Sequence, residues 1–163
     1  MTVYFVAKFG VNLEESAMFV LFIPVVGFVG RMIYPFLFGI FKEKEHTVSN
    51  AAFIICTLAS ALLSLGLGSP AVAAVSMSII YAAVSVINTS ILSIFPLRYS
   101  STGNVASISG VMDLATYGGG GIGSLIYGFV IKGFGYTPMF VSWIVISVIS
   151  IIILRTLKEK ENI

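Results

Sequence analysis

Five long apolar stretches, each of 19 to 27 residues, decide most of what this chain can be. They run from Ala17 to Phe41, Val48 to Gly68, Ala71 to Phe95, Val105 to Ile131 and Tyr136 to Leu154. About 20 helical residues, rising about 1.5 Å each, cross a hydrocarbon core of about 30 Å. A transmembrane strand needs only about 10 residues and alternates apolar with polar, a pattern absent here. Helices also satisfy their own backbone hydrogen bonds, which lipid cannot do. Charged residues make up 10% of the chain and hydrophobic residues 58%. A soluble domain carries about 25% charged residues, so this chain is too poor in them to cover a fold in water. The expected fold is an all-α membrane protein, a single transmembrane domain over residues 1–163 with five full spans and one partial one.

The connections fit that reading. Lys42-Glu43-Lys44-Glu45-His46 separates the first two spans, and Gly66-Leu67-Gly68-Ser69-Pro70 turns the second into the third. Phe95-Pro96-Leu97-Arg98-Tyr99-Ser100-Ser101 stops the third, and Lys132-Gly133-Phe134-Gly135 turns the fourth into the fifth. Lys42, Lys44, Arg98, Arg155, Lys158 and Lys160 collect on one side. Lys8 and Lys132 fall on the other, beside Glu14 and Glu15. The positive-inside rule makes the first side cytoplasmic, with the C-terminal tail, residues 155–163, inside a multi-pass cell-membrane protein. Residues 1–10 read as the outer end of a helix whose earlier part is missing, or as a short interfacial segment.

Polar residues within spans are informative because each must face protein or water. The third span carries Ser78, Tyr81, Ser85, Asn88, Thr89 and Ser93, at steps that gather them on one helical face. The fourth carries Ser109, Asp113, Thr116, Tyr117, Gly120, Ser124 and Tyr127 in the same manner. These two helices are expected to border a polar cavity, and the second and fifth to lie further out. Helix packing is the competing reading for the small hydroxyl residues. Arg31 and Asp113 are the ionisable residues inside spans. They form a structural ion pair, or Arg31 attracts an anionic solute that Asp113 orients, or Asp113 is a proton-coupling carboxylate. Their similar depths make the pair geometrically possible, and it is favoured because a missing half would supply other charges for the solute.

Glycines gather at Gly118, Gly119, Gly120, Gly121 and Gly123. Gly118-x-Gly120-x-x-Gly123 is no dinucleotide fingerprint, since it follows no strand and lies mid-span. Gly119-x-x-x-Gly123 and Ser124-x-x-x-Gly128 read instead as close-packing faces. The glycine run, Pro24 and Pro35 are expected to bend their helices. The lone Cys56 reads as a packing residue, and His46, the one histidine, as a solvated loop residue. No catalytic set, metal-ligand spacing or phosphate loop appears, so neither an enzyme nor a cofactor is expected. A net charge of +2 without a basic patch argues against nucleic acid.

The segment Gly103-Asn104-Val105-Ala106-Ser107-Ile108-Ser109-Gly110-Val111-Met112-Asp113-Leu114-Ala115-Thr116-Tyr117-Gly118-Gly119 resembles the eleventh helix of major facilitator superfamily transporters. The organophosphate antiporter-like branch is the most similar. Gly135-Tyr136 with Phe140 is similar to the opening of the twelfth helix. The resemblance covers nearly the whole chain and implies that the five spans are helices eight to twelve, the C-terminal half of that fold. It implies alternating access of a small solute, an anion among the candidates, through a cavity bordered by helices seven, eight, ten and eleven. The cavity candidates, read from the polar faces and intramembrane charges, are Arg31, Tyr81, Ser85, Asn88, Asp113, Thr116 and Tyr117. The implied partners are the bilayer, the solute and a separate N-terminal half. The Gly-x-x-x-Asp-Arg-x-Gly-Arg-type loop of many members is absent after Phe41. From another class, the alternative is a small membrane subunit or fragment that packs against a partner without transporting.

Overall fold

A computed structural model describes residues 1–41, 45–66 and 68–161, and among them every element is helical. The elements are α1 (Thr2–Phe9), α2 (Leu13–Ile40), α3 (Glu45–Ser64), α4 (Pro70–Asn88), α5 (Val105–Phe134) and α6 (Thr137–Glu161). A π-helical turn over Thr89–Ile94 and a 3-10 segment over Phe95–Thr102 continue α4. Five helical stretches are long and apolar enough to cross a membrane. Lys42, Lys44 and Leu67, and the side chains of Lys158 and Lys160, lie outside the described residues.

Helix ends depart from the apolar boundaries for local reasons. Asn12 caps α2, its Oδ1 accepting the Glu15 N–H at 2.8 Å, with Glu14 and Glu15 in the first turn. Both features stabilise a helix N-terminus, so α2 starts four residues before the apolar stretch. Ser69 caps α4, and Pro70 occupies a first-turn position that needs no N–H. The expected single helix to Phe95 instead changes winding after Asn88. There the Phe95 N–H bonds to the Ser90 carbonyl, five residues back. Gly103 then ends the 3-10 segment at φ 71, a left-handed conformation that glycine adopts without strain. Helix α2 runs on through Pro24 and Pro35, and α5 through its glycine run.

α4 sits between α2 and α3, and α3 packs in turn on α6. Apolar residues gain little by leaving lipid for one another, so membrane helices associate through close fit and small residues. α2 buries only a narrow stripe, Ser16, Ile23, Gly27, Gly30 and Tyr34, at helical steps. A Cβ on Gly30 would lie 2.7 Å from the Ala82 carbonyl oxygen, so the α2 and α4 backbones touch here. Gly27 similarly lies under the ring of Tyr81. α3 meets its neighbours with Val48, Ser49, Ala52, Cys56, Ala59, Ser60 and Leu63. It was expected further out, yet its small residues let helices close in on two sides. Cys56 is buried, its thiol directed at the Ile80 carbonyl oxygen at 3.8 Å.

α1 is fixed by aromatic rings. Tyr4 meets Tyr136 edge-on at 4.9 Å and Phe140 at 5.5 Å, while Phe5 stacks on Phe19 at 5.4 Å. Such pairs add about 0.5–1.5 kcal/mol each beyond area burial. α5 is the contrast, with 30 residues and none buried. It leans on α6 and on residues 89–102. One hydrogen bond, between Tyr127 Oη and Ser142 Oγ at 2.9 Å, joins it to α6.

Gly30→Val should separate α2 from α4 and lower stability by about 1–3 kcal/mol, as overpacking does. Gly39, whose added Cβ would meet nothing within 4 Å, is the control. Thermal melts in detergent should show Gly30→Val lowered and Gly39→Val near the parent. Equal melting of all three would refute the close approach.

Candidate functional site

At one end of the bundle the start of α3 meets the 3-10 segment that leads towards α5. Arg98 Nη2 lies 3.2 Å from Glu45 Oε2, and its Nε–H donates to Glu45 Oε1 at 3.4 Å. Arg98 is 44% exposed, so this pair ties α3 to the 3-10 segment with at most about 1 kcal/mol. One turn along α3, Ser49 Oγ donates to Ser90 Oγ at 3.2 Å across to the π-helical turn. Tyr34 of α2, 1% exposed, approaches Ser90, and its hydroxyl makes no well-formed hydrogen bond. Three helical segments therefore converge on buried hydroxyls. A π-helical turn widens the backbone locally and is often found at functional positions.

The expected polar face of α4 divides along its length. Ser78 and Ser85 are buried. Ser85 Oγ lies 3.2 Å from where a Gly27 Cβ would sit, so Ser85 and Tyr81 come together over Gly27. Tyr81 keeps 42% of its surface exposed. Asn88 is half-buried, the last residue before the winding changes. Thr89 Oγ1 donates to the Ser85 carbonyl oxygen at 2.9 Å.

On α5, Asp113 and Tyr117 are exposed and Thr116 is half-buried toward the neighbours. Arg31, beside the Gly30 contact, is exposed on α2. Among the described residues the structure shows no ion pair between Arg31 and Asp113, and α5 packs chiefly on residues 89–102 and α6. Among the described residues, the ion pair formed is Arg98–Glu45. Gly119, Gly123 and Gly128, expected as close-packing faces, have no close neighbour within this chain. A Cβ at any of them would meet nothing within 4 Å, because α5 rests on its neighbours without interlocking with them. The close contacts lie at Gly27 and Gly30, which sequence reasoning passed over, as it did Tyr34, Ser49 and Ser90. The steps between Ile23, Gly27, Gly30 and Tyr34 were the available signal.

Among the described residues no three His, Cys, Asp or Glu side chains gather to hold a metal. Comparison of the chain with protein-family models, curated proteins and solved structures yields no match.

Sites without shared contacts add in their effects within about 0.3–0.5 kcal/mol. Arg31→Gln and Asp113→Asn should therefore change folded yield independently, and the double variant should show the sum. Recovery of yield in the double variant, measured by fluorescence-detected gel filtration, would restore the ion pair.

Proposed function

We propose that this chain is one half of a secondary transporter, corresponding to the C-terminal half of a major facilitator-type fold. It moves a small solute by alternating access against a partner half. The open polar face of α5 carries this reading. A helix of membrane-spanning length holds Asp113 and Tyr117 exposed, with Gly120 and Ser124 on the same face. Insertion scales put an aspartate at a helix centre in hydrocarbon at about 2.5–3.5 kcal/mol. A water-filled pathway or a partner removes that cost. A rocking mechanism needs a second half, which agrees with a helix that finds so little to pack on within this chain. The polar part of α4 from Tyr81 to Thr89 forms a second wall. In this reading Arg31, Asn88 and Asp113 contact the solute or coupling ion, and the protein is not an enzyme.

Single cysteines in the Cys56→Ala background test the pathway in proteoliposomes. Asp113→Cys, Tyr117→Cys and Gly120→Cys should react with a water-soluble thiol reagent. Val111→Cys, Ile122→Cys and Phe129→Cys, on the opposite face, should resist it. A reversed or uniform pattern would reject the pathway and leave the non-transporting subunit as the reading.

In this reading the Glu45–Arg98 end and the C-terminus lie in the cytoplasm, as the positive-inside rule favours. Cysteines at 46, 100 and 156 should resist an impermeant reagent added outside intact cells and react after permeabilisation. Labelling of all three from outside would invert the orientation.

A further inference from the structure

α5 does not lie evenly on the rest of the chain. Its half-buried residues follow helical steps at Ile108, Met112 and Thr116, and again at Gly123, Tyr127 and Ile131. The step between these two groups falls on Gly119 or Gly120, and there the stripe is broken, since residues 117–122 are all exposed. Over Gly118, Gly119, Gly120 and Gly121 an added Cβ would meet nothing within 4 Å. The helix is supported in two stretches, with a bare glycine run between them. We infer that α5 is hinged at this run, the arm before it, residues 105–117, swinging against the arm after it.

The run has the geometry of a bending point. A turn of helix holds about 3.6 residues, so four consecutive glycines clear side chains from the whole circumference. A bend in any direction then crowds no Cβ on its concave side. The helix is continuous across the run, so its backbone groups stay paired within the segment, as lipid requires. A bend is absorbed by φ and ψ changes over a few residues, which glycine accepts most readily.

The two arms are held unequally. Tyr127 and Ile131 pack against the buried core, and Tyr127 Oη shares a hydrogen bond with Ser142 Oγ of α6 at 2.9 Å. Among the described apolar residues that pack on that core, none lies between 105 and 117. The arm after the run is the fixed one and the arm before it the moving one. At about 1.5 Å per residue, Val105 lies about 20 Å from the run, so a bend of about 20° carries it about 7 Å. Asp113 and Tyr117 ride on the moving arm while Ser124 stays with the fixed one, so the bend changes the span of the polar face. The hinge follows from the packing of α5 alone and does not depend on the transport reading.

Because an added Cβ meets nothing, alanine tests the hinge without collision. In the Cys56→Ala background, spin labels at Leu58→Cys on α3 and at Leu114→Cys or Leu125→Cys on the two arms, all exposed positions, report distances in proteoliposomes. The distribution between 58 and 114 should be broader than that between 58 and 125. Gly119→Ala, Gly120→Ala and Gly121→Ala combined should narrow it to the width of the second pair. The melting temperature should hold or rise, since alanine favours the helix. Gly120→Ala alone should narrow it partway, and serves if the triple variant expresses poorly. Gly133→Ala, outside the run and equally open, should leave it broad. Equal widths for the two pairs in the parent, or a breadth that the alanines leave unchanged, would overturn the hinge. A lowered melting temperature in the alanine variants would also overturn it, by showing the run packed closely against a second copy. The cysteine accessibility pattern on α5 reads the transport proposal separately. Its loss with the distances as expected removes the transport reading alone, and a rigid α5 with that pattern intact removes the hinge alone.

Discussion

The approach of α2 to α4 at Gly30 is the contact on which the arrangement depends. In lipid, two helices gain by touching closely rather than by hiding apolar surface. The missing side chains at Gly27 and Gly30 let α2 close onto the Tyr81 ring and the Ala82 backbone. That contact sets where α4 lies, and α4 also packs on α3, where the Cys56 thiol is directed at the Ile80 carbonyl oxygen. Dispersion is short-ranged, so a gap of even half an ångström forfeits a large part of it. The same contact fixes Ser85 and Tyr81 and, beyond them, the winding change after Asn88.

Much of the fold was legible because membrane thickness is a length that apolar runs must match. All five spans are helices, and each boundary error has a local cause. Asn12 draws the start of α2 into residues that look like a charged loop. The exchange of α-helical for π and 3-10 winding near Pro96 depends on hydrogen-bond partners that residue types do not specify. Which faces touch was less legible. Apolar side chains cover both the lipid side and the packed side of these helices, so hydrophobic periodicity loses its meaning. Small residues carry the information instead, and they mislead when read by abundance. The conspicuous glycines of α5 meet nothing within the chain, while the inconspicuous pair in α2 forms the closest contact.

The candidate site was legible in part. Tyr81, Ser85, Asn88 and Thr89 were gathered correctly onto one stretch of α4, but a face drawn from sequence cannot say which members a neighbour covers. Ser85 is covered and Tyr81 only half so. Tyr34, Ser49 and Ser90 escaped because they lie on three separate segments, and each taken alone is an ordinary packing residue. Their convergence follows from the α2–α4 contact and from the wider turn at Thr89. Arg31 and Asp113 were matched by depth, and depth does not say which helices are neighbours.

The loose attachment of α5 has a consequence for how this sequence can drift. Helices α2, α4, α3 and α6 settle their mutual positions through contacts in which α5 takes almost no share. A substitution on α4 disturbs several neighbours at once, whereas most substitutions on α5 disturb none. Within the chain α5 is held chiefly by residues 89–102 and α6. New side chains can be tried on that helix one at a time, each judged by its surroundings, while the scaffold that carries it stays unchanged.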